Sequence, residues 1–204
     1  MALKIKYLDG KKSLASNTAI FLAKDTKISE FQGIFDDKTN QKLVNYLKKS
    51  KNSKKDKFEL LNLDFDQKIL ILMLTGKNDQ KNSEKLGAKF YDYIKKSEIE
   101  DITIIGSNFS TIKNKIELEE FLHGAELKAY EFNLYKTKKI KKEININILK
   151  SKNHVNQKIR YKLNAVSNGV NFTRDLVSEP GNILHPDEYA RRLLPLKKLG
   201  IKVT

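Results

Sequence analysis

Cysteine and tryptophan are absent from this sequence of 204 residues, and only three prolines occur. Without cysteine the chain can form no disulfide bond, no cysteine-ligated zinc site and no thiol nucleophile, and such a composition is typical of cytosolic proteins. No apolar run approaches the roughly 20 residues that a membrane-spanning helix needs. The segment Met1–Lys6 already contains two lysines, where a signal peptide would have an unbroken apolar stretch. These absences predict a cytoplasmic protein that is neither secreted nor inserted into a membrane.

Acidic residues are too few to balance the basic ones: 40 lysines and arginines face 25 aspartates and glutamates, for a net charge of +15. The excess is concentrated in two segments, residues 48–57 and 136–160. Only four of the 40 are arginine, the residue that makes bidentate contacts to bases. The segments therefore indicate either a solvated basic surface or a polyanion-binding patch. The candidate nucleic-acid contacts are Lys48, Lys49, Lys54, Lys55, Lys138, Lys139, Lys141 and Lys142.

Residues 1–150 alternate between strand-like and helix-like patterns, which predicts an α/β domain with a mixed or largely parallel sheet. The continuous apolar run Ile69–Leu74 predicts a central strand covered by helices on both faces, whereas the alternation over Ile144–Ile148 predicts an edge strand. A further helix is predicted from Asn114, which resembles a capping pair with Glu117. The remaining predicted strands are residues 3–7, 18–23, 58–65 and 102–105, and the remaining helices are residues 40–49 and a segment from 83.

Beyond residue 150 the pattern changes to that of long helices. Apolar residues from Val155 to Val170 recur at spacings of three and four, which predicts a helix that ends before Pro180. Pro186 suits the first turn of a second helix, which Pro195 should kink or shorten and Gly200 should close. Residues 201–204 resemble the beginning of a strand, so the chain is expected to be cut from a longer one.

The residues themselves reveal no catalytic motif. His123, His154 and His185 lie far apart and none belongs to a His-Glu-x-x-His metal-binding helix, so each is expected at the surface or at a helix end. Gly76-Lys77 lacks the other residues of a phosphate-binding loop, and no serine lies in a nucleophile elbow. Considered alone, the residues predict a basic α/β domain without visible catalytic machinery.

Two stretches are more specific. Residues 169–186, Gly-Val-Asn-Phe-Thr-Arg-Asp-Leu-Val-Ser-Glu-Pro-Gly-Asn-Ile-Leu-His-Pro, resemble the segment that opens the catalytic domain of the leucyl (cytosol) aminopeptidase family. Residues 124–138, Gly-x-x-Leu-x-x-Tyr-x-Phe-x-x-Tyr-Lys-Thr-Lys, resemble the end of that family's amino-terminal domain. In the first stretch Ser178 and Gly181 differ from the family's commonest residues; the matching residues are Asn171, Arg174, Asp175, Leu176, Glu179, Pro180, Asn182 and Pro186.

The resemblance implies three regions in this chain. Residues 1–150 would form a macro-like α/β domain, a mixed sheet with helices on both faces, that serves assembly and support. Residues 151–179 would form a linking helix, and residues 180–204 the beginning of a metallopeptidase domain. The implied activity is that of a cytosolic hydrolase that removes amino-terminal, preferentially leucine-like residues from peptides, with two divalent metal ions (manganese or zinc) and a homo-hexameric assembly. The family's metal-ligand run, Asn-Thr-Asp-Ala-Glu-Gly-Arg, is absent here, so no catalytic or metal-binding residue is expected in these 204 positions.

The matching residues are expected to have structural roles. Arg174 and Asp175 would attach the linking helix to the peptidase domain by charged hydrogen bonds, and Pro180 and Asn182 would shape the turn that ends this helix. Core and edge packing, in preference to a base-stacking platform for nucleic acid, is expected at the aromatic residues Tyr130, Phe132 and Tyr135. Two other functions compete with the peptidase reading: a nucleic-acid-binding accessory module that uses the basic segments in weak DNA binding, and nucleotide or ADP-ribose binding by the macro-like fold, which lacks a glycine-rich phosphate loop here.

Overall fold

A computed structural model describes residues 3–8, 17–23, 26–31, 33–50, 57–64, 67–74, 80–105, 117–137, 143–149 and 156–203. The strands are β1 Leu3–Leu8, β2 Asn17–Ala23, β3 Lys57–Asp64, β4 Gln67–Leu74, β5 Asp101–Ile105 and β6 Ile144–Leu149. The helices are α1 Asp37–Ser50, α2 Gln80–Lys96, α3 Leu118–Lys128, α4 Gln157–Ser178 and α5 Pro186–Leu193, with 3-10 helices at Ile28–Phe31 and Leu194–Leu199. Among these residues, no helix combines the length and the apolar character that crossing a bilayer requires.

The described strands form one sheet in the order β1-β6-β5-β2-β4-β3. All neighbouring pairs are parallel except β3 and β4, which pair in antiparallel fashion at one edge. The parallel pairs are joined through intervening helices, as the spacing of strand and helix patterns requires. The predicted α/β class with a mixed sheet is therefore confirmed, while the macro-like detail of that prediction stays a prediction.

Helices cover both faces of the sheet, as predicted. On one face α2 and α3 enclose the larger part of the core, where the Phe121 ring lies 5.3 Å from Phe21 and 5.2 Å from Phe90. On the other face α1 packs Leu43 against alternate residues of β2 and β4, such as Ile20 and Ile71. Since parallel strands between two helical layers are buried on both sides, continuous apolar sequence is the expected pattern for them.

Two predicted strand positions are wrong. Every side chain of Ile69–Leu74 is at most 2% exposed, yet β4 lies second from the edge, because the antiparallel β3 protects its outer side. The predicted edge strand β6 lies in the interior of the sheet, between β1 and β5. Its Asn147 is buried and finds a partner there: the Asn147 side chain donates to the Asp101 carboxylate over 2.8 Å. Alternation alone could not distinguish a solvated from a hydrogen-bonded polar face.

Helices α2 and α3 approach each other through two glycines. A Cβ atom built on Gly124 would lie 1.9 Å from the Glu84 carbonyl oxygen, and one built on Gly87 would lie 1.8 Å from the Phe121 carbonyl oxygen. Real non-bonded carbon and oxygen atoms do not approach so closely, so each glycine allows the backbone of the other helix to touch it. This contact sets the distance between α2 and α3.

The start of α3 differs from the predicted capping pair. Glu117 is the N-cap residue and the helix begins at Leu118, so Glu117 does not occupy the third helical position that the pairing with Asn114 would require. Its backbone N–H donates instead to the Ser83 hydroxyl over 3.0 Å, and Asn114 lies outside the described residues. A tertiary contact with α2 thus supplies the partner that the local pattern assigned to a side chain three residues away.

The long helix predicted after residue 150 is present as α4, for which we keep the label linking helix. It begins after Asn156, whose side chain accepts from the Ile159 N–H over 3.2 Å. Its apolar stripe is buried at Leu163, whereas Ile159 and Val166 are exposed and Val155 lies outside the described residues. The buried face is therefore not the one that the apolar spacing alone indicated.

The predicted helix boundaries near the last prolines are also confirmed. α5 begins at Pro186, its α-helical part ends at Leu193, and Pro195 lies in the 3-10 helix that follows. Gly200 ends this segment with φ 81°, a left-handed conformation that glycine adopts at little cost. The expected strand after it is wrong within residues 201–203, which pair with no strand of the described chain.

Candidate functional site

The predicted nucleic-acid contacts are only partly visible. Lys48 and Lys49 are exposed in the last turn of α1, where positive charge complements the negative end of the helix dipole. The other six candidates, Lys54, Lys55, Lys138, Lys139, Lys141 and Lys142, lie outside the described residues. The proposed basic surface therefore stays a prediction.

The residues that resemble the family pattern come together along one contact, which we call the seam: the surface between the linking helix and the stretch formed by α3 and residues 129–137. At its first end the Glu119 carboxylate, which is buried, accepts from the Asn156 N–H over 2.5 Å. About one turn further along the helix, Arg160 donates to both oxygens of Glu126 over 2.5 and 3.3 Å. Both side chains of this pair are at most 16% exposed. The guanidinium and the carboxylate therefore form a bidentate ion pair that is largely shielded from water.

His123 lies in the middle of the seam, and the prediction for it is wrong. This side chain is buried, not at the surface or at a helix end, and its Nδ1 lies 2.9 Å from the Ser167 hydroxyl, which is buried as well. His185 conforms to the prediction, since it is the exposed N-cap residue of α5. His154 lies outside the described residues. The buried pair is a hydrogen bond between two helices, and it satisfies two polar groups that burial would otherwise penalise.

Arg174 and Asp175 contact Leu127 and Tyr130, at and just after the end of α3, whereas contacts with a peptidase domain were expected. The Arg174 Nη1 atom donates to the Leu127 carbonyl oxygen over 2.6 Å, and its guanidinium lies 5.4 Å from the centre of the Tyr130 ring. The Tyr130 hydroxyl donates to the Asp175 carboxylate over 2.8 Å. Burial, and then this hydrogen bond to the charged Asp175, raise the pKa of Tyr130. Arg174 and Asp175 thus attach the linking helix to the carboxyl-terminal end of α3 and the residues just after it.

At its far end the seam reaches Glu179, the residue that follows the linking helix. Its carboxylate accepts from the Tyr135 hydroxyl and, over 2.6 Å, from Arg192 of α5. These hydrogen bonds, the one from Tyr135 first, lower the pKa of Glu179. Within α5, Arg191 and Arg192 both donate to Glu188 and hold its pKa at about 2.

The turn after the linking helix is shaped by Pro180, as predicted. Its carbonyl oxygen accepts from the backbone N–H groups of Ile183 and Leu184, each over 2.9 Å, while Asn182 is exposed within the turn. The aromatic residues before it are seam residues and not core: the Phe132 and Tyr135 rings lie 5.8 Å apart, and Tyr135 is half exposed. Pro180, which cannot continue a helix, was the sequence signal for the end of the linking helix.

The sequence contained a signal for the seam that periodicity of apolar residues does not detect. Arg160, Ser167 and Arg174 recur every seven residues, which is about two helical turns, and so they lie on one face of the linking helix. On α3, His123 and Glu126 are the partners of Ser167 and Arg160. Together with Glu119, which accepts from the Asn156 N–H, they recur at helical spacing. Two matching polar stripes therefore identify a helix pair joined by ion pairs and hydrogen bonds.

The chemistry of this arrangement is that of attachment. Its charged side chains either form ion pairs, as Arg160 does with Glu126, or bind neutral groups, as Arg174 does at the Leu127 carbonyl. Within the described ranges no three His, Asp or Glu side chains lie close enough together to hold a metal ion. The seam attaches the linking helix to the α/β domain through contacts between residues that are at least 34 positions apart in sequence.

Comparisons with known proteins place this chain beside peptidases. No model of a known protein family matches the sequence. A protein of Phytoplasma mali named probable cytosol aminopeptidase is 42% identical over 93 residues, which cover 43% of this chain and 19% of that protein. A protein of Methylorubrum populi with the same name is 37% identical over 90 residues, covering 43% and 18%. The chain thus spans about a fifth of the length of these curated relatives.

The fold is that of solved structures, a leucine aminopeptidase among them. A tomato leucine aminopeptidase mutant superposes with a TM-score of 0.65 and 17% identity over 96% of this chain and 42% of the tomato chain. The bottromycin maturation enzyme BotP superposes with a TM-score of 0.57 and 14% identity over 92% of this chain and 38% of BotP. At such identities the likeness concerns the fold alone. Together with the sequence relatives it confirms that this chain is similar to the leucyl (cytosol) aminopeptidase family.

Proposed function

We propose that this chain is the amino-terminal region of a cytoplasmic leucyl aminopeptidase, a hydrolase that removes amino-terminal residues from peptides. The observation that carries the proposal is the 42% identity to a protein named probable cytosol aminopeptidase, in a chain whose fold follows a leucine aminopeptidase over 96% of its length. In this proposal residues 1–150 are the amino-terminal domain, residues 151–179 are the linking helix, and residues 180–204 begin the peptidase domain.

The role of this region in that enzyme is support. The linking helix is held against α3 along the seam by at least two charge-assisted contacts, Arg160 to Glu126 and Arg174 to the Leu127 carbonyl. Because such contacts are directional as well as strong, they fix rotation of the helix about its own axis. A rigid helix transmits the position of the α/β domain to whatever follows residue 179. The proposed homo-hexamer would use the same rigidity in assembly.

The catalytic metals belong to other residues. A two-metal peptidase site, with manganese or zinc, needs several carboxylates around two ions. The described side chains do not fit this need, since no group of three potential ligands occurs among them. A second structure of BotP is described as a complex with Mn, and it superposes with a TM-score of 0.54, which favours divalent metals for the complete enzyme. We therefore assign the described residues no metal ligand and no step of the hydrolysis.

A chimera tests the proposal. Residues 1–204 replace the corresponding amino-terminal region of the Phytoplasma mali protein, and leucine-amide hydrolysis is measured with manganese or zinc. We expect turnover within about tenfold of the parent, because a wrongly placed domain would displace catalytic groups and cost on the order of 100-fold. The 204-residue chain by itself should show no turnover with either metal.

The parent protein and the isolated chain are the two controls. A chimera that folds, as judged by circular dichroism, and assembles, as judged by light scattering, but hydrolyses nothing while the parent is active would refute the supporting role. Metal-dependent turnover by the isolated chain would show that a catalytic site lies within these residues, against the assignment above.

The alternative function is that of a basic nucleic-acid-binding module, which the exposure of Lys48 and Lys49 beside the net charge of +15 favours. Binding should then be weak, insensitive to sequence and steeply dependent on salt, since lysines contact phosphates as point charges. Replacing four lysines of the second basic segment by glutamine should lower the slope of log K against log salt by about 3 to 4. The four are Lys138, Lys139, Lys141 and Lys142.

A charge-matched control replaces four exposed lysines outside both basic segments: Lys85, Lys89, Lys96 and Lys197. Fluorescence anisotropy with duplexes of two unrelated sequences measures both slopes. An equal loss of slope in the two variants would mean that only net charge matters, and tight binding to one duplex at physiological salt would overturn the predicted insensitivity to sequence.

A further inference from the structure

Helix α5 and the 3-10 helix after it lack an apolar anchor. No residue of Pro186–Leu193 or of Leu194–Leu199 is buried. By contrast, the linking helix before them buries Leu163 and Leu176 against the domain. Because hydrophobic burial is the dominant force that fixes one helix against another, the direction of α5 must depend on other contacts.

Those contacts converge on one carboxylate. The Glu179 side chain is only 1% exposed, although it belongs to a turn between two helices. One of its oxygens accepts from the Tyr135 hydroxyl, which comes from the loop after α3, and the other accepts from Arg192 over 2.6 Å. Three separate parts of the chain, the α/β domain, the end of the linking helix and α5, thus meet at this residue.

We propose that Glu179 is a positioning residue that fixes the direction in which α5 leaves the linking helix, by holding Tyr135 and Arg192 at the same time. We call these two hydrogen bonds the latch. While both are formed, α5 keeps one direction relative to the linking helix. When they break, α5 and the residues beyond it can change direction. This role concerns the geometry of the chain itself and is independent of any peptidase activity.

The chemistry of the latch explains why one residue suffices. A carboxylate that is covered on almost all sides is costly unless both oxygens are paired. If Arg192 is removed, the uncompensated charge can regain solvation by letting α5 swing away, since no fully buried residue of α5 opposes that motion. Arg192 is itself oriented by Glu188, to which its Nε donates over 2.8 Å. Glu188 thus binds the Nε atom of Arg192 and leaves its Nη1 atom to donate to Glu179.

Distance measurements between spin labels test this proposal in the 204-residue chain. The sequence has no cysteine, so Lys89→Cys on α2 and Ala190→Cys on α5 provide two unique attachment sites, both exposed. We expect one narrow distance distribution in the parent chain and a distribution broadened by about twofold or more in both Glu179→Gln and Arg192→Gln, since a segment without buried contacts samples open states freely. A second label pair, Lys89→Cys with Lys162→Cys on the linking helix, should keep its narrow distribution in both variants.

Asp187→Asn is the matched control for Glu179→Gln, because it also removes one negative charge. Asp187 is an exposed residue of α5 that takes no part in the latch. It should leave the Lys89–Ala190 distribution unchanged. Thermal unfolding followed by circular dichroism separates positioning from stability: the latch variants should melt within a few degrees of the parent, since they remove no core contact. An unchanged distribution in both Glu179→Gln and Arg192→Gln, or broadening of equal size in Asp187→Asn, would overturn the proposal. Because Arg192 lies outside the core, its variant remains informative even if Glu179→Gln fails to fold.

Discussion

Replacing Leu72 by aspartate is expected to leave the chain unfolded at room temperature. Leu72 lies in β4, pairs with Phe21 of β2 on one side and Phe58 of β3 on the other, and is 1% exposed. Its side chain belongs to the core under α2 and α3, where no described cation is placed to compensate a carboxylate. The substitution removes a large apolar group and buries an unpaired charge, which together cost about 5 kcal/mol or more. Since domains are stable by roughly 5 to 15 kcal/mol, most or all of the stability is lost.

Urea denaturation followed by circular dichroism measures this effect. Tyr161→Asp is the matched control, because Tyr161 is 75% exposed on the linking helix and its replacement introduces the same charge. That variant should change the free energy of unfolding by less than about 0.5 kcal/mol. A Leu72→Asp chain with a cooperative transition near that of the parent would contradict the placement of β4 in the core.

Replacing Gly124 by alanine is expected to destabilise the chain by about 3 kcal/mol or more, although it adds a single methyl group. That methyl group would lie 1.9 Å from the carbonyl oxygen and 2.7 Å from the carbonyl carbon of Glu84. These are backbone atoms of α2, so no side-chain rotation can relieve the clash and the two helices must separate. Separation would also loosen Phe90 and Phe121, whose rings meet beneath the same contact.

Gly169→Ala provides the contrasting variant. Gly169 lies within the linking helix, and a Cβ built on it meets no atom within 4 Å. Alanine there should stabilise the chain by about 0.5 to 1 kcal/mol, because it lowers the entropy of the unfolded chain without a clash. Opposite signs for the two substitutions in urea titrations are the expected result. Equal small effects would mean that α2 and α3 do not touch through their backbones.

Several elements were predictable from local pattern. The alternation of Leu3, Ile5 and Tyr7 and the apolar run of β4 predicted strands because burial of a strand has a period of two or is complete. Pro186, Pro195 and Gly200 marked the helix boundaries near the end of the chain because their backbone restrictions act within one or two residues. The resemblance of residues 124–138 and 169–186 to aminopeptidases was readable for the same reason, since it rests on order along the chain.

Strand order was not predictable in this way. The polar residues of β6 indicated an edge, but Asn147 is buried because Asp101, 46 positions away in sequence, accepts its hydrogen bond. β4 was expected at the centre, yet the antiparallel β3 alone separates it from the edge of the sheet. A local pattern reports that a residue is buried and not which strand buries it.

The sequence by itself therefore determined most helices and strands of this protein, the α/β class of its fold and its similarity to aminopeptidases. The reason is that periodicity, turn residues and motif order are local properties of a chain. Only the tertiary structure decided what those elements touch. It buried His123 against Ser167, turned Arg174 and Asp175 towards the α/β domain, and brought Tyr135, Glu179 and Arg192 to one point. The physical reason is that a hydrogen bond or ion pair depends on distance in space, and these partners are separated by 13 to 47 positions along the chain.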